Sequence, residues 1–192
     1  PAHAATSELV AGIILETAQK QGLPKGLFAH VHGTSNAVGE ALVKHPAVKA
    51  VGFTGSFAGG KQIFDWGNQR KDPIPVFAEM GSVNPVFLLP QKMKEDAAGF
   101  AKKYAASITL GMGQFCTKPG ILVGIDNADL DIFIDMLATE IKNTPPAMML
   151  HSGISKNYEE KKAHALAQEA VEEIAVSVTG TVAGQGLPTI AA

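Results

Sequence analysis

Apolar residues along the first ninety positions alternate between two rhythms. Leu9, Val10, Ile13, Ile14 and Thr17 recur at the spacing of one helix face, which predicts a helix over residues 6–21 with Ser7 as N-cap and Gly22 as stop. Leu27–Val31 is a short apolar run between Gly26 and Gly33 and reads as a buried strand. A short helix over Ala37–Lys44 ends before Pro46, and a strand over Val48–Phe53 follows. Thr54-Gly55-Ser56 then turns into a helix over Phe57–Arg70. Pro75–Ala78 and Pro85–Leu89 read as further extended segments. Strands and helices alternating at these lengths predict βαβ units in a parallel, doubly wound sheet, with ligands at the carboxyl ends of the strands.

After Pro90 the rhythm changes. A longer helix over Met93–Ser107 leads into a glycine-rich stretch, and Ile121–Ile125 reads as a strand. Asp129–Asn143 carries Ile132, Phe133, Met136, Leu137 and Ile141 on one helical face before Pro145-Pro146 breaks it. Ser155–Val171, with Glu159, Glu160, Lys161, Lys162 and Glu169, reads as a solvated helix. Val176–Val182 alternates weakly, as a strand would, and Gly186–Ala192 shows no closing element. The change of rhythm places a domain boundary at residues 82–90, dividing the chain into 1–82 and 83–192.

Composition narrows the class. With 46% hydrophobic and 18% charged residues, the 192-residue chain reads as an ordinary globular protein. A net charge of −2 supplies no attraction for nucleic acid or an anionic membrane surface. No apolar run approaches the ~18 residues a membrane span needs. A single cysteine forms no internal disulfide, which points to a reducing compartment such as the cytoplasm. The chain begins at Pro1 without an initiator Met and is expected to be a piece of something longer.

Three places carry candidate chemistry. In Val51–Gly60 a strand runs into a small-residue turn and a helix starting at Ser56, whose free N–H groups and dipole suit a phosphate. The same pattern also suits a plain strand-to-helix turn. In Phe77–Pro85, Glu79 follows an apolar strand, where a partly buried carboxylate has a raised pKa and can act as a general base. A Glu at a strand end also simply points into solvent. In Gly111–Gly120, Cys116 lies between glycines where backbone N–H groups can approach a nucleophile whose product is an oxyanion. A lone cysteine is also commonly an inert hydrophobe. His30 and His32, near a strand end, have no partner spacing that supports a Cys–His dyad, and no histidine spacing suggests a metal site.

Taken in order, Phe53-Thr54-Gly55-Ser56, Glu79–Pro85 and Gly113-Gln114-Phe115-Cys116 resemble the F-T-G-S, E-L-G-G-x-N-P and G-Q-x-C motifs of the aldehyde dehydrogenase superfamily. His45-Pro46-Ala47-Val48 is similar to that family's H-P-x-V. The resemblance implies an α/β fold: a partial Rossmann-like, doubly wound NAD(P)-binding sheet over 1–82, then the first part of an α/β catalytic domain over 83–192. Cys116 would attack the aldehyde carbonyl as thiolate and carry the acyl group as a thioester, with its own N–H in the oxyanion hole. Glu79 would activate water for deacylation. Gly55, Ser56, Gly60, Glu79, Met80 and Gly81 would contact the cofactor, with Ser56 at its pyrophosphate. Implied partners are NADP or NAD, a small-molecule aldehyde and further copies of the whole protein; no metal, membrane span or nucleic acid is implied.

Departures refine this. Glu79-Met80-Gly81-Ser82 replaces the commoner E-L-G-G, and Ile121 stands where many members carry Arg. Such choices look like a bacterial branch that includes 2,5-dioxovalerate (α-ketoglutarate semialdehyde) dehydrogenases and a NADP-preferring fatty aldehyde dehydrogenase. No acid stands at His3-Ala4-Ala5 to repel a 2′-phosphate, which favours NADP or tolerance of both nucleotides. Glu79 argues against the coenzyme A-acylating relatives, whose thioester it would hydrolyse. The family's oxyanion-hole Asn, a Lys and a second Glu find no match here, so these residues alone are expected not to turn over an aldehyde, and at most to bind nucleotide.

Overall fold

A parallel strand pair joined by a helix organises the first part of the chain. The computed structural model describes residues 3–178 and 182–192, and the chain divides into two units, Pro1–Gly81 and Ser82–Ala192. The first holds α1 (Ala4–Lys20), α2 (Ala37–Lys44), β1 (Val51–Thr54), α3 (Phe57–Asn68) and β2 (Val76–Glu79). β1 and β2 pair in parallel from Val51–Val76 to Thr54–Glu79, and α3 makes the crossover. Val51, Phe53, Val76 and Ala78 are the more buried residues of the pair, whereas Gly52, Thr54, Phe77 and Glu79 are exposed, the period of two that a pleat imposes.

Glycine lets α3 lie close to this pair. A Cβ on Gly67 would fall 2.7 Å from Val76 Cγ2, and one on Gly60 would fall 2.8 Å from both Cγ and Sδ of Met80. The entry to β1 is also fixed by side chains. Arg70 Nη1 donates to the Val43 carbonyl at 3.0 Å and the Val48 carbonyl at 2.9 Å, tying the end of α2 to the turn that follows it. His45 to Val48 form that turn, with Val48 N–H on the His45 carbonyl, so the strand starts at Val51 and not at Val48.

Two expectations for this unit are corrected. Leu27–Val31 is not a strand: it pairs with no ladder among the described residues, and Leu27 and Val31 are exposed. A short apolar run becomes a strand only where a neighbour takes its N–H and C=O groups. Ser7 is not the cap of α1, which starts at Ala4 with His3 as its N-cap residue. The Ser7 hydroxyl instead donates back to the Ala4 carbonyl within the first turn.

The second unit contains β3 (Pro85–Leu88), α4 (Pro90–Thr109), a 3₁₀ turn (Leu110–Gly113), β4 (Ile121–Gly124), α5 (Ala128–Asn143), β5 (Ala147–Met148), α6 (Ser152–Leu166), β6 (Glu173–Val176), β7 (Gln185–Gly186) and β8 (Thr189–Ala191). β3 and β4 pair in parallel, and β5–β7 and β6–β8 pair antiparallel. Pro90 sits in the first turn of α4, so that helix starts before Met93. It kinks at Asp96, whose carboxylate accepts from the Gly99 N–H at 2.9 Å and restarts the helix as an N-cap would. Asn127 caps α5 through the N–H groups of Asp129 and Leu130. The core lies between α4 and α5: Ala97, Ala101 and Ala105 offer a small-residue stripe against Phe133, Leu137 and Ile141.

The charged helix ends at Leu166, which leaves Glu169 outside it. The weak alternation at Val176–Val182 is only partly testable, because 179–181 lie outside the described residues; the observed strand is β6. The chain end does close on an element, since β8 pairs with β6 from Glu173–Ala191 to Val176–Thr189. The α/β class expected from the sequence is the one observed.

Candidate active site

β1, α3 and β2 bring two of the motif segments together. Gly55 N–H donates to the Glu79 carbonyl at 3.0 Å, and Met80 packs over Gly60. Ser56 is extended and caps α3, its Oγ accepting from Gly59 N–H at 3.1 Å and its carbonyl accepting from Gly60 N–H at 2.9 Å. The Ser56 hydroxyl keeps its hydrogen to donate, and the first-turn amides of Phe57 and Ala58 have no intrahelical carbonyl to donate to. Ser56 and Phe57 are exposed, so an anion can reach them. A Cβ on Gly55 would fall 2.6 Å from the Phe53 ring, and Gly60 lies beneath Met80, so a side chain at either position would displace the Phe53 or Met80 side chain. Gly81 is exposed with open space around it.

Glu79, expected to be partly buried, is exposed. The alternation of β2 explains this, because Val76 and Ala78 take the buried face and Phe77 and Glu79 the other. His32 pairs with Glu8 of α1 at 3.1 Å and meets the His30 ring edge-on, giving both histidines local partners.

Cys116 lies on an exposed loop of the second unit, between the 3₁₀ turn and β4. Gly111, Met112 and Gly113 all have positive φ, of 55°, 58° and 68°. Such a run favours glycine, and a Cβ on Gly113 would also press on the Ile108 carbonyl at 3.2 Å. Gln114 then anchors the loop on one side, donating to the Gly111 carbonyl and accepting from Leu150 N–H, both at 2.9 Å. Cys116 is the second residue of a turn closed by Lys118 N–H on the Phe115 carbonyl at 3.1 Å.

The other side of the loop is held from residues 82–84. The Ser82 hydroxyl and the Asn84 side-chain amide both donate to the Cys116 carbonyl, the latter at 2.7 Å. Asn84 also donates to the Lys118 carbonyl at 3.0 Å, and Gly120 N–H donates to the Val83 carbonyl at 2.8 Å. From beneath, the buried Tyr104 of α4 donates its hydroxyl to the Pro119 carbonyl at 2.6 Å. Burial pushes the Tyr104 phenol up from 10.0 to about 12.

Sequence reasoning assigned no role to Ser82, Asn84, Gln114 or Tyr104. One signal was present: Ser82 and Asn84 are polar residues inside the motif segment that carries Glu79, just before β3. Among the described residues no cluster of His, Cys, Asp and Glu is placed to hold a metal ion. Among them, too, no helix is long and apolar enough to cross a membrane.

Comparison with known proteins adds a family pattern to this geometry. The family model described as "Aldehyde dehydrogenase family" matches residues 3–188. The chain is 43% identical over 173 residues to alpha-ketoglutaric semialdehyde dehydrogenase 2 of Azospirillum brasilense, covering 90% of this chain and 33% of that protein. It is 41% identical over 158 residues to alpha-ketoglutaric semialdehyde dehydrogenase of Acinetobacter baylyi, covering 82% of this chain and 30% of that protein. The chain thus spans about a third of the length of these relatives. In structure it is similar to an NAD-dependent benzaldehyde dehydrogenase from Corynebacterium glutamicum, with a TM-score of 0.73 and 22% identity, over 90% of this chain and 38% of that one.

Proposed function

The chain belongs to the aldehyde dehydrogenase family, and from that premise we propose that the whole protein oxidises an aldehyde to a carboxylic acid with NADP or NAD, Cys116 carrying the acyl group as a thioester. The observation that carries this reading is an exposed thiol in a loop whose backbone is held on both flanks, by Gln114 on one and by Ser82, Asn84 and Tyr104 on the other. A nucleophile needs both access and a fixed approach.

The residues present fit a nucleotide phosphate at the start of α3, where the exposed Ser56 hydroxyl has a hydrogen to donate and the first-turn amides lack intrahelical acceptors. Gly55, Gly60, Glu79, Met80 and Gly81 shape the surroundings of that turn. When bound, a nicotinamide cofactor supplies the hydride acceptor. Cys116 adds as thiolate to the aldehyde carbon, and its N–H supports the oxygen that becomes negative. After oxidation the acyl group rests on Sγ; Glu79 takes one proton from water, whose oxygen attacks the acyl carbon, the C–S bond breaks, and the carboxylic acid leaves with Cys116 as thiolate, the acid then losing its proton to solvent. Exposure of Glu79 keeps it in contact with water, as a deacylating base requires. A cytoplasmic homo-oligomer is part of the same reading.

For the substrate, 2,5-dioxovalerate is favoured over long-chain aldehydes, because two relatives above 40% identity carry the semialdehyde name. Steady-state rates of the whole protein with the two aldehyde classes test this, and a preference for long chains would reverse it. Cys116→Ala is expected to abolish oxidation with nucleotide binding retained. Glu79→Gln is expected to leave a burst of reduced nucleotide and little turnover, and full steady-state activity in that variant would remove Glu79 as the base.

A further inference from the structure

We propose that Ser82 and Asn84 are a paired clamp on the Cys116 carbonyl, positioning residues that fix where the thiol points; the inference rests on Cys116 being the nucleophile. A carbonyl oxygen has two lone pairs, and here the Ser82 hydroxyl and the Asn84 amide supply a donor for each. With both filled, the peptide plane between Cys116 and Thr117 cannot swing without breaking two hydrogen bonds. That plane sets ψ of Cys116, and the backbone at Cys116 sets the direction of its Cα–Cβ bond. The Asn84 amide nitrogen also donates to the Lys118 carbonyl at 3.0 Å and lies 3.1 Å from the Ser82 hydroxyl oxygen, so both ends of the Cys116-Thr117-Lys118 segment are tied to one side chain and the two clamp residues touch each other.

The backbone of the clamp is itself specialised. Asn84 has φ of 50°, a left-handed conformation that Asn tolerates better than most residues. Val83 between the two donors accepts from Gly120 N–H at 2.8 Å, which registers this segment against the far end of the loop. Ser82 is the position at which this chain departs from the commoner glycine of the motif, so the second donor is a feature of this sequence.

Cys116 is the only cysteine in the 192 residues, so carbonyl-labelled [1-¹³C]cysteine gives the chain a single resonance that reports hydrogen bonding at that oxygen. Ser82→Ala and Asn84→Gly are each expected to move it upfield, and Ser82→Thr to restore it. Glycine at 84 permits the same left-handed backbone while removing the side chain, and with it the bonds to the Cys116 and Lys118 carbonyls. In the whole protein the same two variants are expected to lower kcat by roughly ten- to a hundred-fold, with KM for nucleotide and aldehyde within about two-fold, the effect of a misdirected nucleophile. Ser82→Thr recovers kcat. Unmoved resonance, or unmoved kcat in both variants while Cys116→Ala is inactive, overturns the clamp. Activity surviving in Cys116→Ala overturns the assignment of the nucleophile instead.

Discussion

The Tyr104 hydroxyl makes the cysteine loop answerable to pH at the scale of one residue. Its proton is donated to Pro119, three residues beyond Cys116, and burial raises its pKa from 10.0 to about 12. Between these values the unfolded chain releases the proton while the folded chain keeps it, so stability is full below 10.0 and falls as pH rises towards about 12. Tyr104→Phe is expected to lose about 1 kcal/mol at neutral pH, the ordinary worth of one hydrogen bond, and to flatten that alkaline slope. Urea unfolding of both proteins across the window checks the sign; an unchanged slope in the variant assigns it to another group. The candidate residues themselves were legible as motifs, because Ser56, Glu79 and Cys116 are residue types that chemistry demands. Their surroundings were not. The donors on the Cys116 carbonyl lie more than thirty positions away in the chain, and no local spacing announces which segments will meet.

At the scale of elements, two helical glycines, Gly12 within α1 and Gly67 in the last turn of α3, separate intrinsic preference from packing. Gly12 of α1 has open space where a Cβ would stand, whereas a Cβ on Gly67 of α3 would meet Val76 at 2.7 Å. Alanine is favoured over glycine in a helix by about 1 kcal/mol. Overpacking a stiff β-branched neighbour costs about 1–3 kcal/mol. Gly12→Ala is therefore expected to raise α1 helicity and stability, and Gly67→Ala to lower stability despite the same substitution; circular dichroism and thermal melts of both variants decide it. A stabilising Gly67→Ala would mean that α3 does not bear closely on β2. The helices were largely legible because their apolar periodicity is local, although Ser7 as a cap misplaced the start of α1 and the charged helix ends before residue 171. Strands were less so, since Leu27–Val31 has the composition of a strand and no ladder partner among the described residues. β8 went unread for the converse reason: its ladder with β6 joins segments whose own patterns are weak.

At the scale of the whole molecule, the apolar core is unevenly shared. Among the described residues, the buried hydrophobics of the first unit are Ala11, Val43 and Ile74, while α4 and α5 of the second enclose Phe133 and Ile141 at 0% exposure. Amide exchange is expected to be slowest in α4 and α5 and to be lost first in α1 to α3; equal protection in both units would contradict this distribution. Phe133→Ala is expected to remove about 3–5 kcal/mol from the second unit, read as a lower urea midpoint. The division of strength matters for the one thiol. Cys116 is exposed on the better-packed unit, and the sequence supplies no second cysteine. Peroxide acting on it would form a sulfenic acid with no second thiol among these 192 residues to condense with. Further oxidation to the sulfinic acid is irreversible to ordinary reductants. A thiol from outside these residues, glutathione among them, would cap the sulfenic acid reversibly, whereas uncapped oxidation to the sulfinic acid would remove the nucleophile.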